Sequence, residues 1–186
     1  LLSGSVAINA GDSAAHGYTG STITPPATDQ RGFARVGTYD IGAYEYSDTT
    51  APTVSSFTST TSDGSYKAAA AINITATASE AIQSGNTLTV TLDTGRTVLL
   101  TAASAGTSLT GTYTVQAGDT SSDLTVSSFT IGTVADTAGN AMTSTTVPTG
   151  SSNIAGASAI IIDTTAPTTV TLAASAATST SASITF

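Results

Sequence analysis

Between residues 71 and 101 apolar side chains return at every second position. Ile72, Ile74 and Ala76 alternate with Asn73, Thr75 and Thr77; Leu88, Val90 and Leu92 alternate with Thr89 and Thr91. A period of two gives a strand one dry and one wet face. Threonine is β-branched and fits the pleat, so it suits the wet face. Residues 96–101, 108–115, 124–131 and 159–162 read as further strands. Turn formers punctuate them: Asp63-Gly64, Ser84-Gly85-Asn86, Asp93-Thr94-Gly95, Gly118-Asp119 and Gly139-Asn140. Short strands with turns every 8 to 12 residues or so predict a β-sandwich. No segment sustains a helical period, and the alanine run at 68–71 leads straight into alternating Ile72 and Ile74.

Composition narrows the function. The 186 residues include 26 serines and 40 threonines, enough hydroxyls to cover wet strand faces without charge. Four Lys and Arg against 12 Asp and Glu leave a net charge of −8, which cannot supply a basic footprint, so no nucleic-acid partner is expected. No apolar run approaches the roughly 18 residues of a membrane helix, so no membrane span is expected. Zero cysteines remove disulfides and thiol chemistry, and a single histidine removes most imidazole metal sites. The chain starts Leu1-Leu2 with no basic leader pattern and ends inside an alternating stretch, which reads as an internal fragment of a longer protein.

One repeat sets the boundaries. Asp48-Thr49-Thr50-Ala51-Pro52 returns 115 residues later as Asp163-Thr164-Thr165-Ala166-Pro167. That offset suits one sandwich of about 100 residues. Proline holds the residue before it extended, as a stiff linker requires.

The stretches DTTAPTV at 48–54, INITATASEAI at 72–82, LTVTLDTG at 88–95, GTYTVQAGDTSSDL at 111–124, VADTAGNAM at 134–142 and AIIIDTTAP at 159–167 follow in a recognisable order. Through them residues 48–163 resemble the bacterial immunoglobulin-like repeats of large, adhesin-like surface and secreted proteins. The resemblance implies an immunoglobulin-like β-sandwich and an extracellular, cell-surface setting. It departs at one turn: members often carry Gly-Asp soon after Tyr-Lys, where this chain has Ala69-Ala70 after Tyr66-Lys67-Ala68. Residues 1–47, with SVAINAGD at 5–12, DQRGFARVG at 29–37 and TYDIGAYEY at 38–46, resemble the C-terminal end of a right-handed parallel β-helix of the pectate-lyase-like kind. Residues 164–186 resemble a linker and the first strands of a fibronectin type III-like domain. The fold expected is therefore all-β: an immunoglobulin-like sandwich with a partial parallel β-helix cap at its N-terminus.

Catalysis finds little to work with. His16 lies in a Gly/Ser/Ala-rich stretch that reads as a solvated loop, and no Gly-x-Ser-x-Gly elbow accompanies it. Asp29, Asp40 and Glu45 are the carboxylates available for glycoside hydrolysis, but beside Arg31 and Arg35 they read as ion pairs of the cap. Glycine-rich stretches lack the lysine and context of a phosphate loop. The sequon Asn73-Ile74-Thr75 sits mid-strand and reads as accidental. No enzymatic activity is expected.

Calcium is the specific chemistry to weigh. A hard cation takes six to eight oxygens, and this chain is rich in oxygen ligands. Glu80 follows the strand at 71–78, Asp136 and Asn140 share a loop, and Asp48 and Asp163 sit on the linkers. Loops at one end of a sandwich converge, so Glu80, Asp136 and a linker aspartate are expected to meet at a domain junction; Asp48, Glu80, Asp136, Asn140 and Asp163 are the candidate calcium ligands, and the resemblance to adhesin and cadherin-like rods implies calcium at such junctions. The same residues also fit plain turn chemistry, since Asp and Asn bond their own backbone. Two functions follow: a structural or adhesive spacer on a surface or secreted protein, or an accessory region of a secreted polysaccharide-degrading enzyme. The partners expected are neighbouring domains of the same chain and a cell-surface polysaccharide or protein. Of Phe57, Tyr66, Tyr113 and Phe129, only Tyr66 reads as exposed, a thin platform for stacking sugars. Edge strands are expected to be blunted by threonine and turns, because the domain holds only Lys67 and Arg96.

Overall fold

A computed structural model describes residues 6, 16–18, 21–23, 26–35, 44 and 47–168. The described chain is all-β, and its only helical pieces are a turn of 3₁₀-helix at Gly150–Ser152 and a four-residue α1 at Ile154–Ala157. No helix among the described residues is long and apolar enough to cross a membrane. Two short strands, β1 (His16–Tyr18) and β2 (Ser21–Ile23), pair as an antiparallel hairpin. His16, expected in a loop, thus opens a strand. The remainder of the β-helix reading, including Asp40 and Glu45, lies outside the described residues, as do the fibronectin-like strands after Thr168.

Nine strands build the main body: β3 (Val54–Thr58), β4 (Gly64–Tyr66), β5 (Ala71–Ile82), β6 (Thr87–Leu92), β7 (Thr97–Thr101), β8 (Gly106–Thr114), β9 (Thr120–Ser121), β10 (Val126–Thr133) and β11 (Ile160–Asp163). Six of them form an antiparallel sheet in the order β10-β6-β7-β8-β5-β3. A small second sheet runs β4-β11-β9, with β11 parallel to β4 and antiparallel to β9. The alternating stretches do what their period dictates. Ile72, Ile74, Ala76 and Ala78 of β5, Leu88, Val90 and Leu92 of β6, and Val98 and Leu100 of β7 are all buried in one core. Tyr113 joins them from β8 and is 2% exposed. Each large apolar side chain buried this way stabilises the fold by about 1.5–3 kcal/mol.

The two outermost strands carry the same five residues. Val-Ser-Ser-Phe-Thr is β3 and recurs at 126–130 at the start of β10. In both, valine and phenylalanine are buried although they stand three apart, which strict alternation forbids. A register irregularity between Val54 and Ser56, and another between Val126 and Ser128, accounts for this. One extra residue in a bulge turns the phenylalanine back inward and twists the strand. Phe57 and Phe129 then meet edge to face, ring centroids 5.5 Å apart. Their strands end opposite sides of the six-stranded order, so the sheet curls until its two edges face each other across the core. Bulges also spoil an edge for pairing with another chain. They do the blunting expected of threonine, and Asn153 helps: its buried side-chain amide bonds both the N–H (3.1 Å) and the C=O (2.9 Å) of Val126.

Where β8 passes β7 the two are joined only through Thr101 and Thr110. Gly111 follows at once, and a Cβ there would run into the carbonyl of Leu99 and come within 2.7 Å of Leu100 Cδ2. The close approach of the two backbones requires glycine. At the turn 67–70, Ala69 stands at φ +70°, a conformation that favours glycine.

Candidate functional site

The acidic residues fall at two ends of β5. At its C-terminal end Ile82 bridges to Asp136, and the Thr137 amide donates to Ala81 O (3.3 Å). The loop carrying Asp136 is therefore laid against the end of the strand that carries Glu80. Asp136 closes its own loop. Its Oδ1 accepts from the Asn140 amide and its Oδ2 from the Asn140 side chain, both at 2.8 Å. Gly139, at φ +98°, makes the reversal a side chain would strain. The Gln83 side chain donates to Asp136 O at 2.9 Å.

The incoming linker docks on this loop. Asn140 Nδ2 donates to the backbone carbonyl of Asp48 at 3.0 Å. Thr53 and Ser79 exchange bonds of 3.0 and 2.8 Å just beyond it. The Asp48 carboxylate accepts from the Thr50 amide at 2.9 Å, an Asx-type turn. Asp48, Glu80 and Asp136 thereby place one carboxylate oxygen each within 4.8 Å of the others, with Asp136 buried and the other two half-buried.

Asp136 and Glu80 are shifted in opposite directions. Burial pushes Asp136 up, but hydrogen bonds from the Asn140 side chain and from the amides of Asn140, Gly139 and Ala138 outweigh it and hold the group below the ordinary range. Glu80 has no such donors. Partial desolvation, the charges of Asp48 and Asp136, and contact with the Asp48 carboxyl all push it up. Like charges at this spacing repel, and the raised carboxyl of Glu80 reflects it.

The outgoing end is built differently. Asp119 is 3% exposed and fully partnered. It accepts from Arg96 Nε at 2.7 Å, from the Tyr113 hydroxyl at 2.6 Å and from the Gln116 amide at 2.8 Å. Burial pushes its carboxyl up; the bonds from Tyr113, Gln116 and Arg96 more than reverse that and hold it low. Burial and the bond to Asp119 push the Tyr113 hydroxyl to about 12, so it stays a donor. The turn that Asp119 anchors grips the outgoing linker: Thr164 Oγ1 accepts from the Gly118 amide (3.0 Å) and donates to Asp119 O (2.9 Å).

Of the five candidate ligands, the structure brings together Asp48, Glu80, Asp136 and Asn140. Asn140 turns its amide nitrogen to the group. Asp163 is not among them. It pairs with Thr120 at the end of β11 and lines a surface groove with Ser65, Tyr66, Lys67 and Ala70. Tyr113 pairs with Ile72 in the sheet, whereas Asp136 bridges to Ile82. Ten residues of strand separate the two ends, roughly 30 Å at about 3.3 Å per residue. Tyr66 is half-buried against the core and donates its hydroxyl to Ser62 O at 2.6 Å. Asn73 of the sequon lies in β5, its Oδ1 accepting from the Thr60 hydroxyl at 3.2 Å. In the N-terminal stretch Asp29 pairs with Arg31 at 2.6 Å, an ion pair of the expected kind. The grip on Thr164 escaped the sequence reading. The repeated Asp-Thr-Thr-Ala-Pro was its visible sign, because a second copy of a linker implies a second set of contacts. Compared with family models, with curated proteins and with solved structures, the chain matches none.

Proposed function

We propose that residues 48–163 are an immunoglobulin-like β-sandwich module serving as a non-catalytic spacer in an extracellular bacterial surface or secreted protein. The observation that carries this reading is the treatment of the linkers. Each copy of Asp-Thr-Thr-Ala-Pro is hydrogen-bonded to the body, one through the Asp48 carbonyl and one through the Thr164 hydroxyl, at ends roughly 30 Å apart. A module that fixes the chain where it enters and where it leaves transmits direction and distance. The partners are the neighbouring domains of the same chain. The extracellular bacterial setting rests on the resemblance of residues 48–163 to adhesin-like repeats.

Calcium belongs to the same proposal. A divalent cation held by Asp48, Glu80 and Asp136 would relieve their repulsion and tie the incoming linker to two loops of the body. Hard-cation chemistry suits an all-carboxylate set.

Limited proteolysis of the chain tests the spacer reading. The expected result is a protected fragment close to residues 48–167. Digestion without any intermediate of that size would defeat it. Thermal unfolding in calcium and then in EGTA tests the cation separately, since a ligand of the folded state alone raises the apparent midpoint. Equal midpoints would leave Asp48 and Asp136 as turn formers and Glu80 as a tolerated cost.

A further inference from the structure

The two linker copies have the same sequence and the same internal turn, yet their contacts differ in a complementary way. Asp163 repeats the bond of Asp48: its Oδ1 accepts from the Thr165 amide at 2.9 Å, as Asp48 Oδ1 does from Thr50. Around that shared turn the exposures are swapped. Asp48 is half-buried and Asp163 exposed; Thr49 is exposed and Thr164 half-buried. Pro52 is buried and Ala51 half-buried, while Pro167 and Ala166 are exposed. Each copy shows the half of its contacts that this one module supplies.

We infer that the two ends of this module are complementary halves of one joint, and that the surface formed by Glu80, Asp136 and Asn140 fits the linker leaving a second copy of this module. Laying the two copies over their common turn assembles the joint. The threonine at the second linker position is gripped from behind by the Gly118-Asp119 turn. The aspartate at the first position offers its carbonyl forward to the Asn140 side chain of the next module. Its carboxylate faces that module's Glu80 and Asp136, and the proline packs into the next body as Pro52 does here. A five-residue tether held on both sides has little freedom left. Asp163 and Pro167 stand where the forward half of the joint belongs, and Thr49 where the rear half belongs. This inference rests on the spacer reading and adds how consecutive modules are oriented.

The test duplicates the module inside the full chain: residues 1–162 followed by residues 48–186, so that the native linker joins the copies. The chain has no cysteine, so Ser104→Cys in each copy takes one nitroxide label per module. Electron–electron distance measurements in EGTA then report the spread between modules. A free five-residue tether would spread the distance by about 12 Å. The expected result is a single distribution several-fold narrower. It should broaden toward the tether value with Thr49→Val or with Asn140→Ala in the second copy, and stay narrow with Thr49→Ser. Calorimetry on each variant shows whether both copies are folded. If Asn140→Ala unfolds its copy, Thr49→Val decides, because Thr49 is exposed in a single module. A distribution as broad as the free tether with both copies folded would overturn the joint and leave a flexible spacer standing. A narrow distribution indifferent to Thr49→Val would also overturn it. A second copy that adds no unfolding enthalpy would overturn the joint and the module reading together.

Discussion

Asp119→Ala should be among the most damaging single substitutions in the chain. The carboxylate is 3% exposed and holds three donors from three places: Arg96 just before β7, Tyr113 on β8 and Gln116 in the turn. Removing it strands the Tyr113 hydroxyl, whose residue is 2% exposed, and an unsatisfied buried donor costs about 1–3 kcal/mol. The Gln116 amide loses a bond to a charged acceptor, worth about 1 kcal/mol where water replaces part of it. Arg96 contributes less. Its side chain is 47% exposed and rehydrates, so its share is discounted to about 0.5 kcal/mol. The sum is about 3 kcal/mol, a large part of the 5–15 kcal/mol that holds a typical domain together. For a module of this size it corresponds to a midpoint lower by about 10 °C. Urea unfolding at pH 7 measures it, provided the denaturant slope is unchanged. A cycle with Tyr113→Phe isolates the mechanism. Adding Tyr113→Phe to the Asp119→Ala background leaves no hydroxyl to strand, so the double variant should lose about 1–2 kcal/mol less than the sum of the singles. A loss under about 1 kcal/mol, or strict additivity in the cycle, would refute the account of Asp119 as the buried anchor of the outgoing end.

Three further substitutions probe the other constraints. Gly111→Ala drives a methyl into the backbone of β7 and should cost about 2–3 kcal/mol; a neutral result in urea would show that β7 and β8 separate freely. Ala69→Gly relieves a non-glycine residue at φ +70° and should raise stability by about 1 kcal/mol, read as a higher midpoint. Glu80→Gln should stabilise the chain at pH 7 in EGTA. The carboxyl is raised above its ordinary 4.5 in the folded state, so its contribution is full below that value and lost as pH rises through the folded value. The gain of the glutamine variant should therefore grow with pH and vanish in acid. Asp136 and Asp119 work in the opposite sense. Each is held below its ordinary 3.8, so the stability each adds is present above that value and is lost as pH falls through the folded value. An acid limb that is unchanged in Asp136→Asn would contradict this.

Much of the sheet was legible because its central strands obey a period of two. The stretches at 71–78 and 88–92 announce β5 and β6 through Ile72, Ile74, Leu88 and Val90, and the core is made of these residues. Of the edge strands, β10 was read at 124–131 while β3 was hidden, and the inward face of both was obscured by the same rule. Val54 and Phe57, and again Val126 and Phe129, stand three apart, and only a bulge makes that spacing buriable. The duplicated Val-Ser-Ser-Phe-Thr was there to be read, but its meaning depends on the two phenylalanines meeting across a curled sheet. The grouping of Asp48, Glu80, Asp136 and Asn140 was legible because loops at one end of a sheet converge. Asp163 repeats Asp48 on the outgoing linker, so it belongs to the other junction and not to this group. Its offset of 115 residues is one module length, which puts it at the far end. Asp119 looked like a turn former; its role comes from Arg96 and Tyr113, brought to it by β7 and β8.

The central claim is that both linkers are fixed to the module. Backbone amide relaxation on the 186-residue chain tests it most directly, at the amides of Thr50, Gly118 and Thr165. The account predicts that Thr50 and Gly118 are as rigid as the amides of β5. It further predicts that Thr165, held only from behind, loosens selectively when Thr164→Val removes the grip. Thr50 and Gly118 moving as freely as an unstructured tail, or Thr165 indifferent to the loss of the Thr164 hydroxyl, would contradict it.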